Sequence, residues 1–261
     1  VSIFLSSLPL WLSFLLVVII PTIVFTSGLV VVRRLFSLER LTTNNEVAGF
    51  KFAVVGVTYA VLLGFAVIVV WEKFRDAEAA VAQEASAVIA LDRLSRGMTP
   101  PAGAAVREQV INYVQVTLAD DWPAMAKAEM SRTPARALNG VYDAVMADAP
   151  TTPRGAAIMA EMLYRLDSLT EARRTRLLLA TGVVPGVLWS VLFAGAFVTL
   201  TFTFFFGLKS LGTQIIMTGM LATLIFMALY VAIEIDHPFT GPVSVGPEAL
   251  RYALENINQP D

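Results

Sequence analysis

Phe52-Ala53-Val54-Val55-Gly56-Val57-Thr58-Tyr59-Ala60-Val61-Leu62-Leu63-Gly64-Phe65-Ala66-Val67-Ile68-Val69-Val70-Trp71 runs between Lys51 and Glu72 without a single charge. Twenty residues at 1.5 Å each cover about 30 Å, the thickness of a bilayer's hydrocarbon core. Three more uncharged runs, 1–32, 177–208 and 210–233, are at least as long. Of the 261 residues, 56% are apolar and only 15% charged, against about a quarter charged in a soluble domain; mean hydropathy is +0.68. These runs predict an all-α integral membrane protein with four transmembrane helices, about 8–32, 52–71, 180–206 and 211–233. Because the sequence starts at Val1, an initiator or a longer N-terminus is expected before it.

The first run lacks the basic start and short apolar centre of a signal peptide, and Arg33-Arg34 closes it as an anchor would be closed. Pro21 predicts a kink there. The third run is too long for one upright helix, so it must tilt, kink at Pro185-Gly186, or start outside the bilayer. Only Gly207-Leu208-Lys209-Ser210 separates the last two runs, which must form a tight hairpin.

Residues 72–176 have a different composition: 13 of the 19 basic and 14 of the 21 acidic residues fall there. The expected organisation is a first transmembrane pair in 1–71, a helical extramembrane domain in 72–176, a second pair in 177–233 and a tail in 234–261. Beyond Trp71 the helical pattern continues. Phe74, Ala77, Val81, Ala85, Val88, Leu91 and Leu94 share one stripe up to about Arg96, before Gly97 and Pro100-Pro101. Thr133-Pro134 and Thr152-Pro153 pair an N-cap with proline at the first helical position, and Asp121-Trp122-Pro123 is a looser version. The last of these helices, from Pro153 towards Arg176, could run straight into the third span. Basic residues near the membrane lean slightly towards a cytoplasmic domain.

Several classes of function fall away. Without cysteine there are no disulfides, thiolate metal sites or cysteine nucleophiles. One histidine, His237, makes a Ser–His–Asp triad or a histidine-rich metal cage a poor reading. A formal charge of −2 argues against a nucleic-acid partner. No span holds a central charge, as proton relays and voltage sensors do. No enzyme, cofactor or strong metal motif is indicated; Glu234, Asp236 and His237 form the one compact group of metal-capable side chains, and a polar cap to the fourth helix followed by a Pro-Phe turn is the favoured reading of them.

The spans carry small residues at helical spacing: Gly56, Ala60 and Gly64 in the second, Gly182, Gly186, Ser190 and Ala194 in the third. Such faces allow close helix packing, within one subunit or between subunits. Beside the first of them, Val57, Val61 and Phe65 repeat every four residues. A row like this faces lipid, packs against another helix, or rings a pore as an apolar gate; spacing alone does not choose. Arg173, Arg174 and Arg176 could attract anions, or meet anionic lipid headgroups and nearby carboxylates.

Val61-Leu62-Leu63-Gly64-Phe65-Ala66-Val67 resembles the pore helix of bestrophins, with its Leu-Gly-Phe followed by apolar residues. After the last span, Glu234-Ile235-Asp236-His237-Pro238-Phe239-Thr240-Gly241 is similar to the bestrophin pattern of acid, apolar residue, acid, any residue, Pro-Phe-Gly. The layout of two spans, a helical insertion, two spans and a tail is similar as well. The resemblance, to a bacterial member of the bestrophin-like membrane family, implies a homopentamer in the plasma membrane. It would conduct small inorganic anions, with 72–176 and both termini cytoplasmic. It also implies that Val57, Val61 and Phe65 form the pore constriction, and that Glu234, Asp236, Pro238, Phe239 and Gly241 are the family motif. Two departures stand out. Two constriction positions are valine, and Pro242–Pro247 lacks the acidic run with which animal bestrophins clasp calcium. A non-conducting oligomeric scaffold or sensor of the same fold is the alternative.

Overall fold

The structure, a computed structural model, describes residues 2–43, 45–182 and 184–259. Among these there are helices and no strands. Among the described residues four helices are long and apolar enough to cross a membrane: α1 (Leu10–Leu35), α2 (Asn45–Ser95), α6 (Gly186–Thr203) and α7 (Leu211–Ile235). Pro100–Val116 (α3), Thr133–Met146 (α4), Pro153–Leu179 (α5) and Glu248–Asn258 (α8) complete the set of long helices. The chain divides into two compact units, Val1–Glu72 with Val183–Asp236, and Lys73–Gly182 with His237–Asp261.

In the first unit one face of α2 supplies Tyr59, Leu63 and Ala66 to a core shared with Val18 of α1, Leu192, Ala196 and Leu200 of α6, and Ala222, Ile225, Phe226 and Leu229 of α7. Contact is closest at Gly195, where a Cβ would stand 2.5 Å from Tyr59 Cδ2, so only glycine lets α6 approach the ring. The hairpin between α6 and α7 is tied by side chains that satisfy its backbone. Asn45 donates to Gly207 O at 2.8 Å and accepts from Gly207 N at 3.2 Å. Arg33 Nη2 reaches Leu208 O at 2.9 Å and Gln214 Nε2 reaches Phe206 O at 2.6 Å. Irregular backbone near hydrocarbon is tolerated only when its polar groups are satisfied in this way.

Pro21 acts through a widened turn. Residues Leu15–Ile19 are a π-turn ending two residues before it, and Thr117–Asp121 is another ending two residues before Pro123. Proline lacks the N–H for the i−4 carbonyl and its ring collides with that turn; a π-bulge makes room without ending the helix. Asp121 therefore does not start a helix, as its sequence context implied, but lies inside a helical turn.

The third apolar run is divided. α5 stops at Leu179 and α6 begins at Gly186, so α5 does not continue into the span. Gly182 holds φ at +89°, which a side chain tolerates poorly. Pro185 then restricts the residue before it to extended backbone. Gly182 is thus a turn residue and not part of a helix-packing face.

In the second unit the stripe on α2 is buried as its spacing predicts: Val88 and Leu91 join Val106 and Val110 of α3, Val141 of α4, Leu166 and Leu169 of α5 and Leu250 and Ile257 of α8. Thr152 caps α5 by accepting from Gly155 N at 3.0 Å. For α4 the cap comes from Ser131, whose Oγ accepts from Thr133 N at 3.3 Å.

Gly195→Ala is expected to destabilise the chain by about 1–3 kcal/mol through overpacking on Tyr59, outweighing alanine's gain in helix propensity of about 1 kcal/mol. The same change at Gly64, where a Cβ meets nothing within 4 Å, should stabilise the single chain by up to about 1 kcal/mol, alanine's gain in helix propensity. Thermal unfolding in detergent distinguishes the two.

Candidate functional site: the bare face of the second helix

Helical periodicity puts Val57, Val61 and Phe65 opposite Tyr59, Leu63, Ala66 and Val70 on α2. The second set is buried, while Val57 is 63%, Val61 50% and Phe65 65% exposed. Phe50, Val54 and Ile68, also exposed, extend the row in both directions. An apolar face this long on one chain marks contact with lipid, another chain or a membrane-spanning path.

Beside the row, Ala60 and Gly64 are exposed and Gly56 is half-buried. Neither glycine has an atom within 4 Å of where its Cβ would be. Within one chain this small face packs on nothing, because Tyr59 and Leu63 on the other side of the helix make the intrachain contacts. Gly186 is likewise open at the start of α6. Among the helical glycines of the first unit, those in tight contact are Gly195, against Tyr59, and Gly28, against Phe204 at 3.2 Å. The partner ring separates these from the open ones.

In the first unit, Ser13 Oγ donates to Glu234 Oε1 at 2.5 Å, and Asp236 Oδ1 accepts from Val184 N at 3.0 Å. Both carboxylates are buried. In the second unit, Phe239 is buried edge-on against Trp122, with ring centroids 6.1 Å apart. Val245 N donates to Pro238 O at 2.6 Å, and Gly241, at φ +82°, makes the turn. His237 is buried, and its ring leaves no room for a Cβ at Gly182. Among the described residues, no three acidic or histidine side chains come together as a metal site.

The three arginines separate. Arg174 is exposed, whereas Arg176 is fully buried and so unavailable to bulk anions or headgroups. Its Nε donates to Glu84 Oε2 at 2.6 Å and its Nη2 to Glu84 Oε1 at 3.1 Å and Asp121 Oδ2 at 3.0 Å. The guanidinium lies 5.0 Å from the centre of the Trp122 ring. Arg173 is mostly buried and 3.5 Å from the same Asp121 oxygen. Two cations thus face two carboxylates, and Tyr113 OH completes the set by donating to Glu84 Oε1 at 2.5 Å. Burial pushes the Tyr113 hydroxyl well above its ordinary value, reinforced by the Glu84 charge. The Asp121 carboxyl is also pushed up, because burial outweighs the attraction of Arg176 and Arg173. For Arg176 burial opposes the charge, yet Glu84 outweighs it and the net shift is upward. No local signal in the sequence pairs Arg176 with Glu84; they lie 92 positions apart.

This arrangement of helices has known counterparts. A bacterial bestrophin homologue from Klebsiella pneumoniae, in one variant form, superposes with a TM-score of 0.73 at 14% identity, over 92% of this chain and 97% of that one. A second variant of it gives 0.70 at 17%, over 92% and 99%. A structure described only as a membrane protein gives 0.68 at 17%, over 92% and 98%. The class is therefore an all-helical integral membrane protein with the bestrophin fold. The bestrophin-like domain model matches residues 19–250, and the chain belongs to that family. A comparison with curated sequences finds no match.

Arg176→Met leaves two buried carboxylates without their main partner and should cost about 3–5 kcal/mol. Adding Glu84→Gln and Asp121→Asn should recover much of that loss. Tryptophan fluorescence during thermal unfolding reads both, since Trp122 lies against the guanidinium.

Proposed function

We propose that the chain assembles into a homo-oligomer that conducts ions passively, with Val57, Val61 and Phe65 of each copy ringing the axis as an apolar constriction. The observation that carries this reading is the position of the row. It lies opposite the face that α2 packs on its own chain, so four helices of one copy enclose no lumen but several copies can. A narrow apolar ring opposes ions by dewetting, and widening or hydrating it permits them. The unoccupied Gly56, Ala60 and Gly64 face gives a neighbouring copy a place for close backbone approach. The bestrophin likeness favours five copies in a bacterial plasma membrane, with residues 72–176 and both termini in the cytoplasm. It also favours small anions as cargo, although in any one chain the sign depends on the charges that flank the apolar row. Exposed Arg174 is available to anions or headgroups.

Purified protein in planar bilayers under a potassium chloride gradient is expected to pass current above empty bilayers. Phe65→Ala, which removes the largest side chain of the row, should raise the conductance several-fold. A verified oligomer without current would transfer the reading to a non-conducting scaffold or sensor, and a monomer by native mass spectrometry would end the channel reading.

A further inference from the structure

We propose that a pocket in the first unit binds a small uncharged phenol taken from the membrane, with its hydroxyl donating to Gln214 Oε1 and its ring held among apolar walls. The pocket encloses about 450 Å³ between the start of α2, the α6–α7 hairpin and the first turns of α7, within the size range of small-molecule sites. Gly49, Phe52, Phe206, Leu208, Met217 and Leu221 give it apolar walls. Phe52 and Phe206 meet edge to face, with ring centroids 5.6 Å apart. From Gln214 to Leu221 the lining follows α7 for about 10 Å, so the pocket reaches from the hairpin into the apolar span. Met217 is exposed, which leaves the pocket open to the surroundings of the span. Among the described residues no charged side chain lines it. An ion would lose its hydration there without a partner, so a neutral occupant fits.

Gln214 is 2% exposed, and its amide can point only one way. Phe206 O accepts and cannot donate, so the amide nitrogen must face it, as Nε2 does at 2.6 Å. The oxygen is thereby turned away, and among the described residues no donor reaches it. A buried acceptor left unpaired keeps its full desolvation cost. Its polar neighbours in the lining are committed elsewhere. Asn45 binds Gly207 through both its nitrogen and its oxygen, and Thr203 spends its hydroxyl proton on Leu200 O at 2.6 Å. The complementary molecule is therefore apolar with one O–H. An acyl chain would fill the walls and leave the carboxamide unpaired. The Phe52 and Phe206 rings favour an aromatic body over an aliphatic one.

The test is photolabelling of the purified protein in phosphatidylcholine vesicles with a diazirine-bearing alkylphenol, the labelled peptides being mapped by mass spectrometry. No current is read, so the result stands apart from the channel reading. Label should concentrate on the peptides carrying Phe52, Phe206 and Met217 and be displaced by the unlabelled alkylphenol. The corresponding methyl ether, which has no O–H, should displace it about tenfold less well. Gly49→Leu should abolish the labelling, since a Cβ there would stand 4.0 Å from Phe206 Cε1 and the longer side chain extends into the pocket. Gln214→Met should make phenol and ether equal competitors. Should Gln214→Met fail to fold for want of its tie to Phe206, the ether comparison and Gly49→Leu still decide. Equal competition by phenol and ether in the wild type overturns the inference, as does labelling that survives Gly49→Leu. So does label spread evenly over the apolar helices, or its absence from these peptides because a neighbouring copy covers the pocket.

Discussion

The second helix must satisfy two environments around one circumference, and the remaining features of the first unit follow from that. Its Tyr59, Leu63 and Ala66 side is consumed by the chain's own core. Its other side is apolar and bare, which water does not tolerate over such a length. A bilayer alone would accept this face, and so would a second copy. The small residues beside the row set the distance at which another backbone could approach. Gly195 does the same inside the chain, where the Tyr59 ring fills the gap that a side chain would otherwise occupy.

Charge is handled differently in the two units. In the second, Arg176, Arg173, Glu84 and Asp121 sit together at low exposure, with matched numbers of each sign. The desolvation of four ions is large, and it is offset chiefly by Arg176, which reaches both carboxylates at short range; Arg173 Nε and Asp121 Oδ1 are left without a hydrogen-bond partner. The bidentate fork of arginine is what allows one cation to serve both carboxylates. In the first unit the long apolar runs hold no charge, and Glu234, at the end of the last of them, is tied to a serine hydroxyl. Charged side chains are left at the ends of the apolar stretches, as Lys51 and Glu72 flank that of α2.

Likeness in fold does not carry side-chain chemistry with it. At 14–17% identity the superposed structures share the path of the helices, while the residues on the bare face belong to this chain. Two of its three candidate constriction residues are valines, which leave a wider ring than aromatic side chains would. The stretch from Pro242 to Pro247 offers no carboxylate, so an acidic calcium clasp has no ligands there.

What the sequence alone determined was what composition and period determine: four apolar helices, a polar segment between the second and third, and the continuation of α2 beyond Trp71. It also placed Val57, Val61 and Phe65 on one side of a helix, because a spacing of four fixes the angle wherever the helix sits. It could not say which side of α2 its own chain would bury, since Leu63 on one side and Val61 on the other are both apolar. Nor could it tell that Gly182 makes a turn while Gly195 makes a contact, or that Arg176 points inward while Arg174 points out. Those outcomes depend on atoms distant in sequence: the Tyr59 ring, the His237 ring, and the Glu84 and Asp121 carboxylates. Helical period is a local property and can be read along the chain; the choice of partner is decided only when the helices come together.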